Sequence, residues 1–143
     1  MDRLSSENVH ATTVASGGRA VLLMGLSGSG KSDLALRLID RGFALVSDDR
    51  TLLLKQGDRL IASAPATIAG KMEVRGLGIV DMDTAGDTPV ALVVDLTEKA
   101  ERLPDEQANR RFLGIAIPLI AMDARAASAA AKVVLALDTL GLP

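Results

Sequence analysis

Residues Gly25-Leu26-Ser27-Gly28-Ser29-Gly30-Lys31-Ser32 spell G-x-x-x-x-G-K-[ST], and no other stretch restricts the fold as much. Such a loop works only where a buried strand leads in and a helix leads out. Residues 20–24 (A-V-L-L-M) read as that strand, and residues 31–40 as that helix. The glycines let successive backbone N–H groups turn toward one anion at the positive end of the helix dipole. Lys31 can then reach the terminal phosphates, and the Ser32 hydroxyl can join the shell of a magnesium ion. The sequence therefore predicts a site for a phosphate or polyphosphate.

Composition narrows what else the chain can be. At 143 residues, with 48% apolar and 24% charged side chains, it fits one ordinary folded domain. No apolar run approaches the ~18 residues of a membrane span, and the longest, residues 113–122, is interrupted by Pro118. Residues 1–13 are polar and lack the apolar centre of an export signal. With zero cysteines, disulfides and thiolate metal sites are excluded, and a cytoplasmic location is expected. A net charge of −2 disfavours a polyanionic partner such as nucleic acid. Two Phe and no Tyr or Trp leave almost no platform for stacking bases. Any nucleotide base is then held by aliphatic groups and backbone, with affinity concentrated on phosphates and metal.

Along the chain, Gly42 offers a left-handed cap to the loop helix. Residues 43–47 form a second apolar strand, and the pair of buried strands flanking the helix predicts parallel neighbours joined by a crossover. Residues 51–54 and 59–62 flank Gln56-Gly57-Asp58 as a hairpin. Residues 71–74 and 77–82 are short extended pieces around Arg75-Gly76. Residues 89–95 are apolar throughout and predict a central strand. The charged stretch 97–111, with Pro104 inside, reads as a mobile connection. Residues 115–121 form a last strand, after which Asp123 is placed to cap a helix over 124–140. The expected fold class is α/β, a single domain with a mixed β-sheet spanning residues 1–143.

Asp48-Asp49 falls at the carboxyl end of the strand after the loop helix, the end at which such sheets bind ligands. One carboxylate can hold magnesium directly or through water, and the other can accept a proton from an attacking hydroxyl. In the segment 71–81, Glu73 can complete a metal shell and Arg75 can neutralise phosphate charge. His10, the single histidine, stands at the end of a polar leader. Arg102, Arg110 and Arg111 occupy the charged connection, where one can serve as a finger for transition-state charge. Read alone, these residues also suit a small-molecule kinase of the shikimate-kinase type, or a nucleotide-sensing switch. The N-K-x-D pattern of guanine-reading switches is missing.

Taken together, Val9-His10, the loop at 25–32, Arg41-Gly42, Leu45-Val-Ser-Asp-Asp-Arg50 and Met72-Glu-Val-Arg-Gly-Leu-Gly-Ile-Val-Asp81 resemble the catalytic domain of the HPr kinase/phosphorylase family, in a form without its separate N-terminal domain. The resemblance implies a P-loop domain related to the phosphoenolpyruvate carboxykinase core. It also implies transfer of the ATP γ-phosphate, with Mg²⁺, to a serine of the phosphocarrier HPr or a related phosphocarrier. The same enzyme would phosphorolyse the phosphoserine with inorganic phosphate, giving pyrophosphate. On this resemblance, Gly25 to Ser32 hold the phosphates, Lys31 is the catalytic lysine, and Ser32 and Glu73 are magnesium ligands. Asp49 is the proton acceptor, Asp48 its acidic neighbour, His10 the histidine near the reacting serine, and Arg102 the catalytic arginine. The loop around Arg125 matches one tied to phosphorolysis. Family members are hexamers. Ala11 departs from the glycine usual after the family's histidine.

Overall fold

Apolar residues at period two build a sheet that is buried on both faces. The computed structural model describes residues 5–100 and 107–143. Among these, the strands are β1 (Ser6–Val9), β2 (Thr12–Ser16), β3 (Arg19–Gly25), β4 (Ala44–Ser47), β5 (Thr51–Gln56), β6 (Arg59–Ser63), β7 (Lys71–Val74), β8 (Gly78–Asp81), β9 (Thr88–Leu96), β10 (Ala108–Phe112) and β11 (Ile115–Met122). The helices are α1 (Lys31–Asp40) and α2 (Ala129–Leu140). The main sheet runs β1-β5-β6-β9-β3-β2-β4, with β11 also paired to β9 and β10 to β11. β9 is parallel to both β3 and β11 but antiparallel to β6, so the sheet is mixed, as the sequence predicts.

Alternation divides β3 between two cores. Val21 and Leu23 join a cluster with Leu34, Ala35 and Leu38 of α1 and Val133 and Leu137 of α2. Ala20, Leu22 and Met24 join a second cluster with Val9, Leu53, Leu60, Phe112 and Ile117. One face is thus roofed by helices, and the other by the curl of the sheet upon itself. Leu34 and Leu38 recur at i and i+4, one face of a helix, and burial of each contributes roughly 1.5–3 kcal/mol. This packing seats α1 beneath its loop.

Three expectations need correction, and one segment to which the sequence assigns no element contains strands. Within the polar leader, β1 takes residues 6–9 and β2 begins at Thr12. β1 is an edge strand with Ser6, Glu7 and Asn8 exposed, so its composition carries no apolar signal. β2 buries Thr12 and Thr13 completely, their hydroxyls being satisfied by residues 36 to 38 positions away. The expected neighbours β3 and β4 are separated by β2, which runs antiparallel to both. The parallel partner of β3 is β9, with Met24 opposite Asp95. Within the expected mobile connection, Ala108–Phe112 is a strand paired to β11, Phe112 facing Ile115. Finally, α2 starts at Ala129 and its N-cap Ser128 makes no side-chain cap. Asp123 instead accepts the Arg125 amide at 2.9 Å, closing a turn two residues long that keeps the chain out of helix.

Candidate active site

The loop follows from two close approaches. Gly25 has φ 152°, and a Cβ there would fall 2.7 Å from Ser29 Oγ and 2.8 Å from the Leu96 carbonyl oxygen. At Gly30, φ is 95° and a Cβ would fall 2.9 Å from Ala124 Cβ. Side chains at either position would break the loop or expel the 124–126 turn. The Ser29 amide donates to the Leu26 carbonyl at 2.9 Å, and the Leu34 amide donates to Gly30 at 3.0 Å to start α1. The first-turn amides of α1 have no carbonyl partner within the helix, leaving donors for an anion. Lys31 Nζ lies over the loop, 3.1 Å from the Gly25 carbonyl oxygen and 3.2 Å from that of Leu26. Ser29 Oγ is buried with no hydrogen-bond partner among the described residues. A buried hydroxyl left unpartnered by the protein suits a site whose ligand brings oxygen acceptors. These residues fit a phosphate chain.

Beneath the loop lies the carboxylate of Asp48, which is 7% exposed. Its Oδ1 accepts the Ser32 hydroxyl at 2.8 Å and the Thr12 hydroxyl at 3.1 Å. Its Oδ2 accepts the Glu73 amide at 3.0 Å. Three segments remote in sequence, β2, α1 and β7, therefore meet on one carboxylate. Ser32 Oγ and Asp48 Oδ1 form a pair of hard oxygen donors beside the phosphate loop. That chemistry fits magnesium, which takes one or two protein oxygens and keeps waters and phosphate oxygens for the rest. Among the described residues no three His, Cys, Asp or Glu side chains form a ready-made cage, and magnesium rarely uses one.

Asp49 is held differently. Its φ is 65°, its amide donates to Thr12 Oγ1 at 3.1 Å, and its side chain is 67% exposed. A tight turn forms around it. The Arg50 amide donates to the Asp48 carbonyl at 2.7 Å, and the Ser47 hydroxyl donates to the Arg50 carbonyl. His10 Nδ1 stands 4.0 Å from Asp49 Oδ1.

A cleft of about 650 Å³ opens over the loop, lined by Gly25 to Ser29 and also by His10, Asp95, Lys99, Arg110 and Arg125. This volume suits a small ligand, and among the described residues its lining contains no Phe, Tyr or Trp. On its wall Arg125 pairs with Asp123 at 3.1 Å and Glu98 at 2.9 Å. The Arg125 side-chain hydrogen bond, with its backbone hydrogen bond next, holds the Asp123 carboxyl below its ordinary value. The partnership with Asp123 raises the Arg125 guanidinium in turn. Arg37 of α1 donates to the Ala124 and Ala126 carbonyls, tying this wall to the loop helix.

The structure thus gathers the loop residues 25–32, Asp48, Asp49 and His10, and brings Glu73 in through its backbone amide. The Glu73 side chain is exposed and makes no hydrogen bond to Ser32 or Asp48 among the described residues. Arg102 lies outside the described residues. Arg110 lines the cleft, whereas Arg111 donates to the Gly114 carbonyl at 3.2 Å in its own hairpin. Sequence reasoning missed Thr12, which bonds both acids. Its only local signal was a β-branched pair, Thr12-Thr13, in a segment otherwise read as polar.

A strand, glycine loop and helix at the mouth of a curled mixed sheet, with an acid under the loop serine, define the phosphoenolpyruvate carboxykinase-like class of P-loop kinase folds. Comparison with known proteins narrows the class. The family model described as HPr Serine kinase C-terminal domain matches residues 2–138, and the chain belongs to that family. It is 36% identical over 129 residues to the HPr kinase/phosphorylase of Lactiplantibacillus plantarum, covering 81% of this chain and 41% of that protein. It is 38% identical over 134 residues to the HPr kinase/phosphorylase of Chlorobium phaeobacteroides, covering 84% of this chain and 40% of that one. The chain therefore spans about two fifths of the length of these curated relatives. The solved structure of the Hpr(Ser) kinase/phosphatase from Coxiella burnetii superposes with a TM-score of 0.80 at 27% identity, covering 92% of this chain and 94% of that one.

Proposed function

We propose that this chain is a catalytic domain that transfers the γ-phosphate of ATP to a serine hydroxyl of HPr or a related phosphocarrier. In the reverse sense it phosphorolyses the phosphoserine with inorganic phosphate to give pyrophosphate. The observation that carries this reading is the union of Ser32, Asp48 and the Glu73 amide under the loop, with the Asp49 carboxylate free beside them. The family membership and the names of the relatives support it. We propose further that the chain acts as a single unit in the cytoplasm, as a homo-oligomer of the hexameric kind its family resemblance implies.

The residues divide the work. The loop amides and Lys31 hold the phosphates, and Ser32, Asp48 and Glu73 are the residues that would hold magnesium. When bound, that ion supplies compensation for phosphate charge. Asp49 takes the proton from the serine Oγ as the oxygen attacks phosphorus, and returns it in phosphorolysis. His10, at 4.0 Å, neighbours the oxygen that carries this proton and faces the incoming serine. Phosphoryl transfer asks for placement and charge compensation more than covalent help. A folded acceptor closing over the open cleft supplies the exclusion of water.

The test is incubation with magnesium, ATP and HPr, or HPr with its acceptor serine replaced by alanine, read by mass spectrometry. Phosphoserine on the first protein alone is expected. Turnover restricted to small hydroxylated acids, or nucleotide binding without any transfer, overturns the assignment.

A further inference from the structure

The hydroxyl of Thr12 stands between the two acids. Thr12 is fully buried in β2. Its Oγ1 donates to Asp48 Oδ1 at 3.1 Å and accepts the Asp49 amide at 3.1 Å. A hydroxyl has one proton and two lone pairs, so it can make both bonds at once. A carboxylate has no proton to donate when ionised, and valine can make neither bond. The neighbouring threonines are engaged elsewhere. Thr13 pairs with Thr51 at 2.7 Å, and Thr51 donates to the Ala11 carbonyl at 2.9 Å. Those contacts fasten β2 to the sheet but touch neither acid.

Asp49 also adopts φ 65°, a region that L-residues other than glycine, asparagine and aspartate seldom occupy. Such a conformation persists where surrounding bonds fix it, and the Thr12 bond to the Asp49 amide acts at that residue. Its second bond anchors the same hydroxyl to Asp48 and, through Asp48, to Ser32 of the loop. We infer that Thr12 is a positioning residue: its hydroxyl fixes the left-handed backbone at Asp49 and so sets the placement of the Asp49 carboxylate relative to the phosphate loop. This rests on the reading of Asp49 as proton acceptor.

The experiment compares the full chain with Thr12→Val and Thr12→Ser by two measurements. In phosphoryl transfer to HPr, Thr12→Val lowers kcat by about 10–100-fold, the scale of a misplaced catalytic group. KM for ATP stays within about twofold, because Lys31 and the loop amides keep their places and Asp48 still accepts from Ser32 and the Glu73 amide. In the nucleotide-free protein, hydrogen exchange at the Asp49 amide accelerates at least about tenfold in Thr12→Val, an expectation set by loss of the bond it donates to Thr12 Oγ1. Thr12→Ser restores both values. Should valine crowd the Asp48 carboxylate and unfold the chain, Thr12→Ala removes the hydroxyl without bulk and is read the same way. Wild-type exchange and kcat in the hydroxyl-free variants, or equal impairment of Thr12→Ser and Thr12→Val, overturn the inference. If the wild-type chain transfers nothing to HPr, the functional reading fails, while exchange at Asp49 still decides the role of Thr12 in holding that residue.

Discussion

The floor and the rim of the site carry the same side chain in opposite circumstances. On the floor, Asp48 is buried and accepts three hydrogen bonds from three segments. On the rim, one residue further, the Asp49 side chain is 67% exposed, with His10 Nδ1 4.0 Å from its Oδ1. The difference arises from backbone direction. β4 delivers Asp48 under the loop helix, and the left-handed residue that follows turns the chain out of the strand. A carboxylate saturated with donors is fixed in place, as a metal neighbour should be. A carboxylate without such donors keeps its oxygens open to an incoming hydroxyl. On the proposed reading, adjacent identical residues serve binding and chemistry separately.

The separation is open to direct attack, and the largest effect belongs to the rim. Asp49→Asn is expected to reduce transfer in both directions by about 10²–10⁴-fold, the usual contribution of a general base. Calorimetry should show ATP affinity unchanged. Retained transfer removes Asp49 from the proton-accepting role. The loop comes next. Lys31→Ala deletes hydrogen bonds to charged groups, each contributing about 1.5–3 kcal/mol. Binding of ATP or pyrophosphate should weaken by roughly 10–100-fold, whereas a variant with wild-type affinity would place the phosphates elsewhere.

The floor answers in stability. Asp48→Ala strands the Ser32 and Thr12 hydroxyls and the Glu73 amide, and an unsatisfied buried donor costs about 1–3 kcal/mol. Urea unfolding should register that loss. Asp49→Asn, on the exposed rim and suited to the same left-handed backbone, should stay within about 0.5 kcal/mol of wild type. Equal losses would erase the distinction between the two acids. The smallest effect lies on the cleft wall. Arg125 lowers the Asp123 carboxyl, so the contribution of this pair is present above the ordinary aspartate value and lost as pH falls through the lowered one. In an NMR titration, Arg125→Ala should return Asp123 to the ordinary aspartate range. A carboxyl that still titrates low in the variant would assign the shift to another cause.

What could be read in the chain depended on how local its cause was. The loop was legible because Gly25 to Ser32 are consecutive and their demands are stated by type, glycine at close approaches and lysine then serine at the helix start. The central strand β9 was legible for the same reason, its apolar run being its own signal. The Gly42 cap also appeared where expected, with φ 103°. β2 was not legible, because Thr12 and Thr13 become core residues only when Asp48 and Thr51 arrive to satisfy their hydroxyls. Its insertion between β3 and β4 overrode the simplest crossover for the same tertiary reason. β10 carries Arg110 and Arg111 on exposed positions of an edge, and charge there resembles a loop. The onset of α2 was misjudged because Asp123 is as able to close a turn as to cap a helix. For the site, residue types sufficed to nominate both acids. Their division of labour required the fold.

The proposed chemistry depends most on the loop serine and Asp48 sharing one metal beside a phosphate chain. Crystals of the chain grown with pyrophosphate and Mn²⁺, a scatterer standing in for Mg²⁺, locate that metal by its anomalous signal. The account predicts a peak at bonding distance from Ser32 Oγ, about 2.0–2.2 Å, with Asp48 bound directly or through one water and the pyrophosphate on the loop amides. A metal peak remote from Ser32 and Asp48, or pyrophosphate lodged away from residues 25–32, would contradict it.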